Sequence, residues 1–439
     1  MADITKLNEK EVQETSSLGS DVKKLLIRNS VTILFAIICL GGIYFSKLPL
    51  FFIVNELLTR FTRNTFLVLA LIIPVVAGMG LNFSIVIGGM AGQAAIIIVT
   101  YMGVTGLPGF LLCIAIAVPI AIGLGIMTGR LLNKTRGQEM IASMISGFFA
   151  NGIYQFIFLV MIGTVIPFTN KVMLKPDGIG LRNTIDLSGG RDADGIKYAL
   201  DSLIKWPLFT VGFVIFLAGA SYCAYKLYKI KKGTTHFNKI EAIFNLVLTL
   251  IGTGLCAYMV FNPNLPLKLK MLSNIKLSVM SAVALFIICI FNTIFLRTKL
   301  GQDMRSCGHD QHIAQVSGIN VDKTRVIAIT ISMVLAAWGQ IIFLQNMGVL
   351  NTYGSHVQIG LFSVAAILIG GASVSKATVR QALLGVILLH TLFIVSPKAG
   401  QELLGDAQIG ELFRSFVAYG VIGVALGLHA WKQVAAKAK

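Results

Sequence analysis

The sequence predicts an all-α, polytopic membrane protein of about 10 to 12 transmembrane helices, some of them broken or re-entrant. Three observations carry that prediction. Of 439 residues, 55% are hydrophobic and only 13% are charged, a balance that would expose more hydrocarbon than water tolerates in a soluble domain. Apolar segments near the ~20 residues that a helix needs to cross a bilayer core recur from Val31 to Trp431. Lysines and arginines gather in the stretches between those segments.

Taken in chain order, residues 1–28 are too polar for a signal peptide and predict a cytoplasmic N-terminal segment. Residues 29–439 then form a single transmembrane domain. Spans are expected near 29–46, 65–80, 84–102, 109–129, 140–162, 206–225, 242–261, 276–296, 326–346, 357–371, 379–396 and 412–430. Phe51 to Phe61 reads as an amphipathic helix at the outer interface, where Arg60 and Arg63 are tolerable. Residues 167–205 form the longest outer loop, a turn-rich cap, and residues 206–261 form a helical hairpin. A polar segment, 297–325, separates the eighth span from the ninth. Basic residues fall on one side of this layout, among them Arg130, Lys134 and Arg136, Lys226 to Lys239, Arg297 to Arg325 and the tail lysines. Basic loops resist translocation, so both termini are expected in the cytoplasm of a prokaryote, with the chain multi-pass in the inner (plasma) membrane.

Several function classes fall away. The net charge of +18 reports topology and contact with anionic membrane lipid, and no aromatic-interleaved basic stripe supports nucleic-acid binding. The six cysteines stand singly, without metal-ligand spacing, and read as free thiols packed like small apolar residues. No paired carboxylates, His-Glu-x-x-His or Ser-His constellation lies in the spans, so no catalytic residue, metal or resident cofactor is expected. Well inside the predicted spans the one side chain that titrates near neutrality is His390. Proton-driven carriers keep ionisable groups at mid-membrane, and energy for uphill transport would therefore come from a partner. Leu187-Ser188-Gly189-Gly190-Arg191 resembles the signature of ATP-binding-cassette ATPases, but no Walker A loop accompanies it.

Polar residues inside the spans are candidates for a solute path. Ser143, Gly147, Asn151 and Gln155 recur every four residues and form one helical stripe, which either lines a pathway or joins helices. Gln93, Trp338, Gln340 and Gln345 add amides and an indole that suit a hydroxylated ring. Gly125 and Gly129 read as a close-packing pair. Gly80-Leu81-Asn82-Phe83-Ser84 and Gly371-Ala372-Ser373-Val374-Ser375 share glycine and serine at matching spacing, an internal-repeat signal that places Asn82, Ser84 and Ser373 at helix breaks.

The segment from Thr298 to Ile319 is the most informative. Asp310 is placed to cap a short helix over Gln311 to Ser317, Gly318 to end it in the left-handed conformation, and Gly301 and Gly308 to punctuate its approach. This segment resembles the cytoplasmic coupling loop of permease subunits in ABC importers of the simple-sugar and nucleoside branch, through Gly301, Arg305, Gly308, Asp310, Ala314, Ser317, Gly318 and Ile319. Gly80 to Ser84 with Gly88-Gly89, the segment Gln138 to Met144, and Ile369 to Ser375 are similar to further motifs of that family. Asn82 stands where the sugar branch usually has an aspartate. The resemblance covers roughly 29–165 and 276–430, and two of the three spans near 206–296 are additional to the common pattern.

The resemblance implies an import permease subunit without enzyme activity of its own. Its partners would be cytoplasmic ABC ATPase subunits that bind the ATP, an extracytoplasmic solute-binding protein, and a second permease subunit in a homo- or heterodimer. The cargo would be a simple sugar or nucleoside-like solute. The alternative reading is an uncoupled channel or secondary carrier for a small polar neutral solute.

Overall fold

The computed structural model describes residues 30–437 apart from 171, 190–194 and 232–238; the expected N-terminal segment, residues 1–28, lies outside the described residues. The elements are α1 (Ser30–Ser46), α2 (Leu50–Ala70), α3 (Ile72–Val76), α4 (Ile85–Met102), α5 (Gly106–Lys134), α6 (Glu139–Phe156), β1 (Thr184–Asp186), β2 (Lys205–Pro207), α7 (Leu208–Lys231), α8 (Lys239–Phe261), α9 (Leu267–Ser273), β3 (Lys276–Ser278), α10 (Val279–Phe295), α11 (Lys299–His309), α12 (Gln311–Val316), α13 (Val321–Met347), β4 (Val349–Asn351), α14 (Ser355–Ile369), α15 (Val379–Leu404) and α16 (Ala407–Lys437). Among the described residues, eight helices are long and apolar enough to cross a membrane, α10 and α11 form a pair bent by 70°, and Val31–Ser46 and Ser355–Ile369 are shorter apolar helices. The all-α polytopic fold expected from composition is what the chain adopts.

The chain divides into two compact units, one comprising 1–48, 60–199 and 285–439 and the other 49–59 and 200–284. In the smaller unit α7 lies along α8. An antiparallel ladder there sets Trp206 opposite Leu277, and Leu208 N–H donates to Ile275 O at 2.7 Å.

In the larger unit α13 is the central helix, packed on α5 and α4. Small residues permit these approaches. A Cβ on Gly125 would lie 2.8 Å from Thr330 Cα, and one on Gly129 would lie 2.9 Å from Val326 Cα, so this pair does serve the close helix packing expected of it. All six cysteines are free.

Two expectations are corrected. The helix expected at the outer interface and the span expected at 65–80 are one stretch: α2 and α3 together give a membrane-length apolar run, and Arg60 and Arg63 sit inside it, beside a cavity described below. Hydropathy averaged over a window broke the helix at its charges, whereas the fold accommodates them. Second, the approach to the short capped helix is itself a helix, α11, and Gly301 and Gly308 are packing positions within it. The outer loop, expected as a turn-rich cap, also carries a short ladder: Thr184–Asp186 pairs antiparallel with Val349–Asn351, with Ile185 opposite Leu350. Three-residue strands are too short to leave a period in sequence.

Candidate functional site

The polar segment between α10 and α13 is built from three successive caps. Thr298 Oγ1 accepts from Gly301 N–H at 3.3 Å and opens α11. Asp310 ends α11 and starts α12, its Oδ1 accepting from His312 N–H at 2.8 Å and Ile313 N–H at 3.0 Å. Those backbone donors, that of Ile313 foremost, hold the Asp310 carboxyl below the usual carboxylate range. Asn320 Oδ1 accepts from Lys323 N–H at 2.9 Å and opens α13. Gly318 has φ +83°, and no heavy atom lies within 4 Å of where a Cβ would stand, so conformation and not space favours glycine there.

One face of this segment is locked to the bundle. Gly301, Met304 and Cys307 are the buried residues of α11. Ala314 is buried against Cys307 and Val321, with Ile319 alongside. A Cβ on Gly308 would strike Val76 O, and a Cβ on Gly78 would lie 2.6 Å from Gly308 Cα. Two glycine backbones thus cross at the break between α3 and α4. The other face is open: Arg305, Asp310 and Ser317 are exposed, and so are two apolar side chains, Ile313 at 63% and Val316 at 78%. Neighbouring loops close the same end of the unit. Asn133 Nδ2 donates to Asp322 O at 2.9 Å, and Arg136 bridges the Asp322 carboxylate.

Just inside lies a contact that the sequence did not advertise. Arg325, fully buried on α13, donates through Nη2 to Glu139 Oε1 at 2.6 Å. Arg325 and Glu139 are 186 positions apart, Glu139 at the first residue of α6 and Arg325 at the fifth of α13, so both read as ordinary loop-end charges until the fold brings them together.

The expected pathway residues fall into two clusters, three outliers and Asn151, which pairs with a histidine described below. Asn82 Oδ1 accepts from Ser84 N–H at 3.1 Å and from the Ser84 hydroxyl, while Ser143 Oγ accepts from Phe83 N–H at 3.1 Å. These three residues therefore fix the α3–α4 break against α6. At the far end, Gln93 Nε2 donates to Ser355 Oγ at 2.8 Å and to Asn351 O at 3.0 Å, and Gln340 Nε2 reaches the same Ser355 hydroxyl at 3.3 Å. The outer oxygens of both amides, Gln93 Oε1 and Gln340 Oε1, have no hydrogen-bond partner among the described residues.

Gln155 is half-buried, Trp338 is half-buried on α13, and Ser373 is exposed, accepting from Lys376 N–H at 3.0 Å. The two glycine-serine breaks do approach one another: a Cβ on Gly80 would lie 2.9 Å from Met140 Cγ and 3.2 Å from Val374 Cγ1. Gln345 is buried, and its carbonyl accepts from Tyr198 N–H.

Along α6 the polar stripe faces a groove rather than open space. Asn151 Oδ1 is 2.8 Å from His356 Nε2, and the His356 ring lies 4.8 Å from that of Tyr154. Phe83, Val86, Gly147, Asn151, Val357 and Leu361 enclose about 20 Å³, room for a water molecule but not for a sugar or nucleoside. The groove is shut in this conformation. Next to it α6 presents an exposed apolar row, Ile141, Ile145, Phe148 and Phe149. His356 was missed because it lies at a span end, where sequence gives histidine no geometric context. The ATPase-like signature in the outer loop has a local explanation: Ser188 Oγ donates to Asp186 Oδ2 at 2.5 Å and Ser188 N–H to Asp186 Oδ1 at 3.0 Å, an Asx turn.

Comparison with known proteins gives a consistent setting. A family model described as "Branched-chain amino acid transport system / permease component" matches residues 197–426. The Autoinducer 2 import system permease protein LsrC of Enterobacter sp. (strain 638) is 33% identical over 131 residues, 28% of this chain and 38% of that protein. The probable ABC transporter permease protein YphD of Escherichia coli (strain K12) is 30% identical over 153 residues, covering 35% and 43%. The high-affinity branched-chain amino acid transport system permease protein LivH of Salmonella typhimurium is 30% identical over 106 residues, covering 24% and 34%. The chain thus matches less than half the length of each of these relatives. No solved structure matches.

Proposed function

The chain belongs to the permease-component family of the branched-chain amino acid transport systems, and from that premise we propose that it is the membrane-spanning subunit of an ATP-driven importer whose motor is a separate pair of ATPase subunits. The observation that carries the reading is the segment Lys299–Val316: locked to the bundle through Gly308 and Ala314 on one face, and presenting exposed Ile313 and Val316 on the other. Apolar side chains displayed on a short, doubly capped helix suit insertion into a cleft of a soluble partner. Motion imposed there reaches the α3–α4 break directly, because Gly308 touches Gly78, and that break carries Asn82 and Ser84.

In this proposal both termini are cytoplasmic, an extracytoplasmic solute-binding protein delivers cargo to the end that bears the β1–β4 ladder, and the exposed row on α6 meets a second permease subunit across the path. ATP hydrolysis belongs to the partner. The cargo is a simple sugar or nucleoside-like solute, a choice supported by the sugar-branch motifs and by the amides of Gln93, Gln340 and Asn151. A second reading, an amino acid as cargo, is favoured by the similarity to LivH.

The test is the double substitution Ile313→Asp/Val316→Asp in the organism's own cells, with uptake of labelled sugars, nucleosides and branched-chain amino acids assayed side by side. Uptake and ATPase co-purification are expected to be lost while membrane insertion persists, since neither side chain is buried. Retention of both activities would overturn the coupling assignment.

A further inference from the structure

A second cavity lies on the side of α14 away from the α6 groove: α14 sends Val357 and Leu361 to the groove, and Gln358 and Phe362 to this cavity. Its volume is about 270 Å³ and it is ringed by Arg60 and Arg63 of α2, His390 of α15 and Arg414 of α16. Among the described lining residues none is acidic. Glu411 bridges Arg414 without lining the cavity.

The arginines are held, not splayed into solvent. Arg63 Nη1 donates to Asn346 Oδ1 at 3.1 Å, its guanidinium lies 5.4 Å from the Phe343 ring centroid, and that of Arg414 lies 4.9 Å from the Phe393 ring centroid. His390 is 7% exposed and its Nδ1 has no hydrogen-bond partner among the described residues. With a rise of about 1.5 Å per residue, Arg60 stands roughly 15 Å inside α2. Cationic side chains at such depth are expensive and are retained where they meet a charge or line a polar path. Guanidinium groups recognise planar and tetrahedral oxyanions by paired N–H donors, and a donor at His390 Nδ1 adds a third direction.

We propose that this cavity binds an oxyanion, the carboxylate or phosphate group of a small solute. Its size admits several waters at about 30 Å³ each, or one such group with a short carbon skeleton. The site is distinct from the transport reading, since it requires no ATPase and lies behind the helix that walls the groove. An anion seated there would join α2, α14, α15 and α16, the four elements that contribute its polar lining. The same chemistry is available from a phospholipid headgroup, and the experiment separates the two sources.

Full-length protein in neutral detergent is unfolded thermally at constant ionic strength. One arm titrates inorganic phosphate and succinate against chloride, and the other titrates phosphatidylglycerol against phosphatidylcholine. A saturable upward shift with the soluble oxyanions is expected, with half-saturation weakened at least about tenfold in Arg63→Gln and in Arg414→Gln and unchanged in Arg130→Gln. His390→Phe, which removes a donor without removing a fixed charge, is expected to weaken the same response and serves if an arginine variant fails to fold. A variant-sensitive shift confined to phosphatidylglycerol would keep the oxyanion site and assign it to a headgroup. No anion-specific shift in either arm, or a shift that all variants share with the parent, would overturn the proposal.

Discussion

The two ends of the larger unit handle polar chemistry in opposite ways. Around α11 and α12, contact is backbone against backbone, at Gly78 and Gly308, and each helix start has a side-chain cap. Around α2, α14 and α15 the contacts run through side chains instead, and Gln93 Oε1, Gln340 Oε1 and His390 Nδ1 are buried without partners among the described residues. Arg325 Nε and Nη1 are likewise unpartnered at the first end, so the contrast is one of backbone against side-chain contact. A part that transmits displacement benefits from contacts that cannot yield, because soft side chains would absorb the motion. A part that accommodates a solute needs donors and acceptors not already saturated by the protein. The difference in construction fits the division between transmission and recognition that the proposed function requires.

The strongest way to break that comparison is at Arg325. Its guanidinium is fully buried and bonded to Glu139, joining the helix that follows the capped segment to the helix that carries the polar stripe. Arg325→Met leaves a mostly buried carboxylate without its cation, a loss of about 3–5 kcal/mol by analogy with broken buried pairs. Thermal unfolding of the purified variant is expected to show it, and Arg325→Met/Glu139→Gln is expected to recover most of the loss. If the single variant unfolds like the parent, the pair does not hold the transmitting end together.

Next in size comes Gly308→Leu. A Cβ there overlaps Val76 O and lies 3.0 Å from Gly78 N, so α11 must move off the α3–α4 break. Overpacking of this kind costs about 1–3 kcal/mol. Its effect on transport is expected to exceed its effect on stability, since α11 moves while the rest of the bundle remains packed. The measurement is uptake beside melting temperature in the same preparation; a parallel loss of both would make Gly308 a stability residue and erase the proposed distinction.

How legible this was from sequence follows the same division. The capped helix was readable, because Asp310, the turns that follow and Gly318 act within a few residues of one another, and local rules describe local geometry. Gly125 and Gly129 were readable as a packing pair for the same reason. The Arg325–Glu139 bond, the Asn151–His356 contact and the cation-lined cavity all join residues from distant helices, and no periodicity in one segment reports what another segment brings to it. Arg60 and Arg63 show this most plainly. Their charge ended a hydropathy window and suggested a surface helix, although the helix continues and the arginines face Phe343 and His390 across a cavity.

The smallest effect is also the one with a defined pH signature. Asp310 caps α12 most strongly as a carboxylate that accepts from Ile313 and His312 N–H, and those donors depress its pKa in the folded protein. For a group whose folded value lies below its unfolded value, the stabilising contribution is present above the unfolded value, about 3.9 for aspartate, and is lost as pH falls through the folded one. The cap is therefore expected to be intact at every pH above about 4. Amide hydrogen exchange at His312 and Ile313, corrected for intrinsic rates, is expected to be flat across that range and to accelerate below it. In Asp310→Ala both amides exchange fast at every pH, whereas Asp310→Asn keeps an acceptor and removes the pH dependence. Because Asp310 is exposed, this substitution leaves the buried contacts of Ala314 and Gly308 in place, and so isolates the order of the helix from its attachment. Transport that survives in Asp310→Ala would show that attachment alone carries the motion.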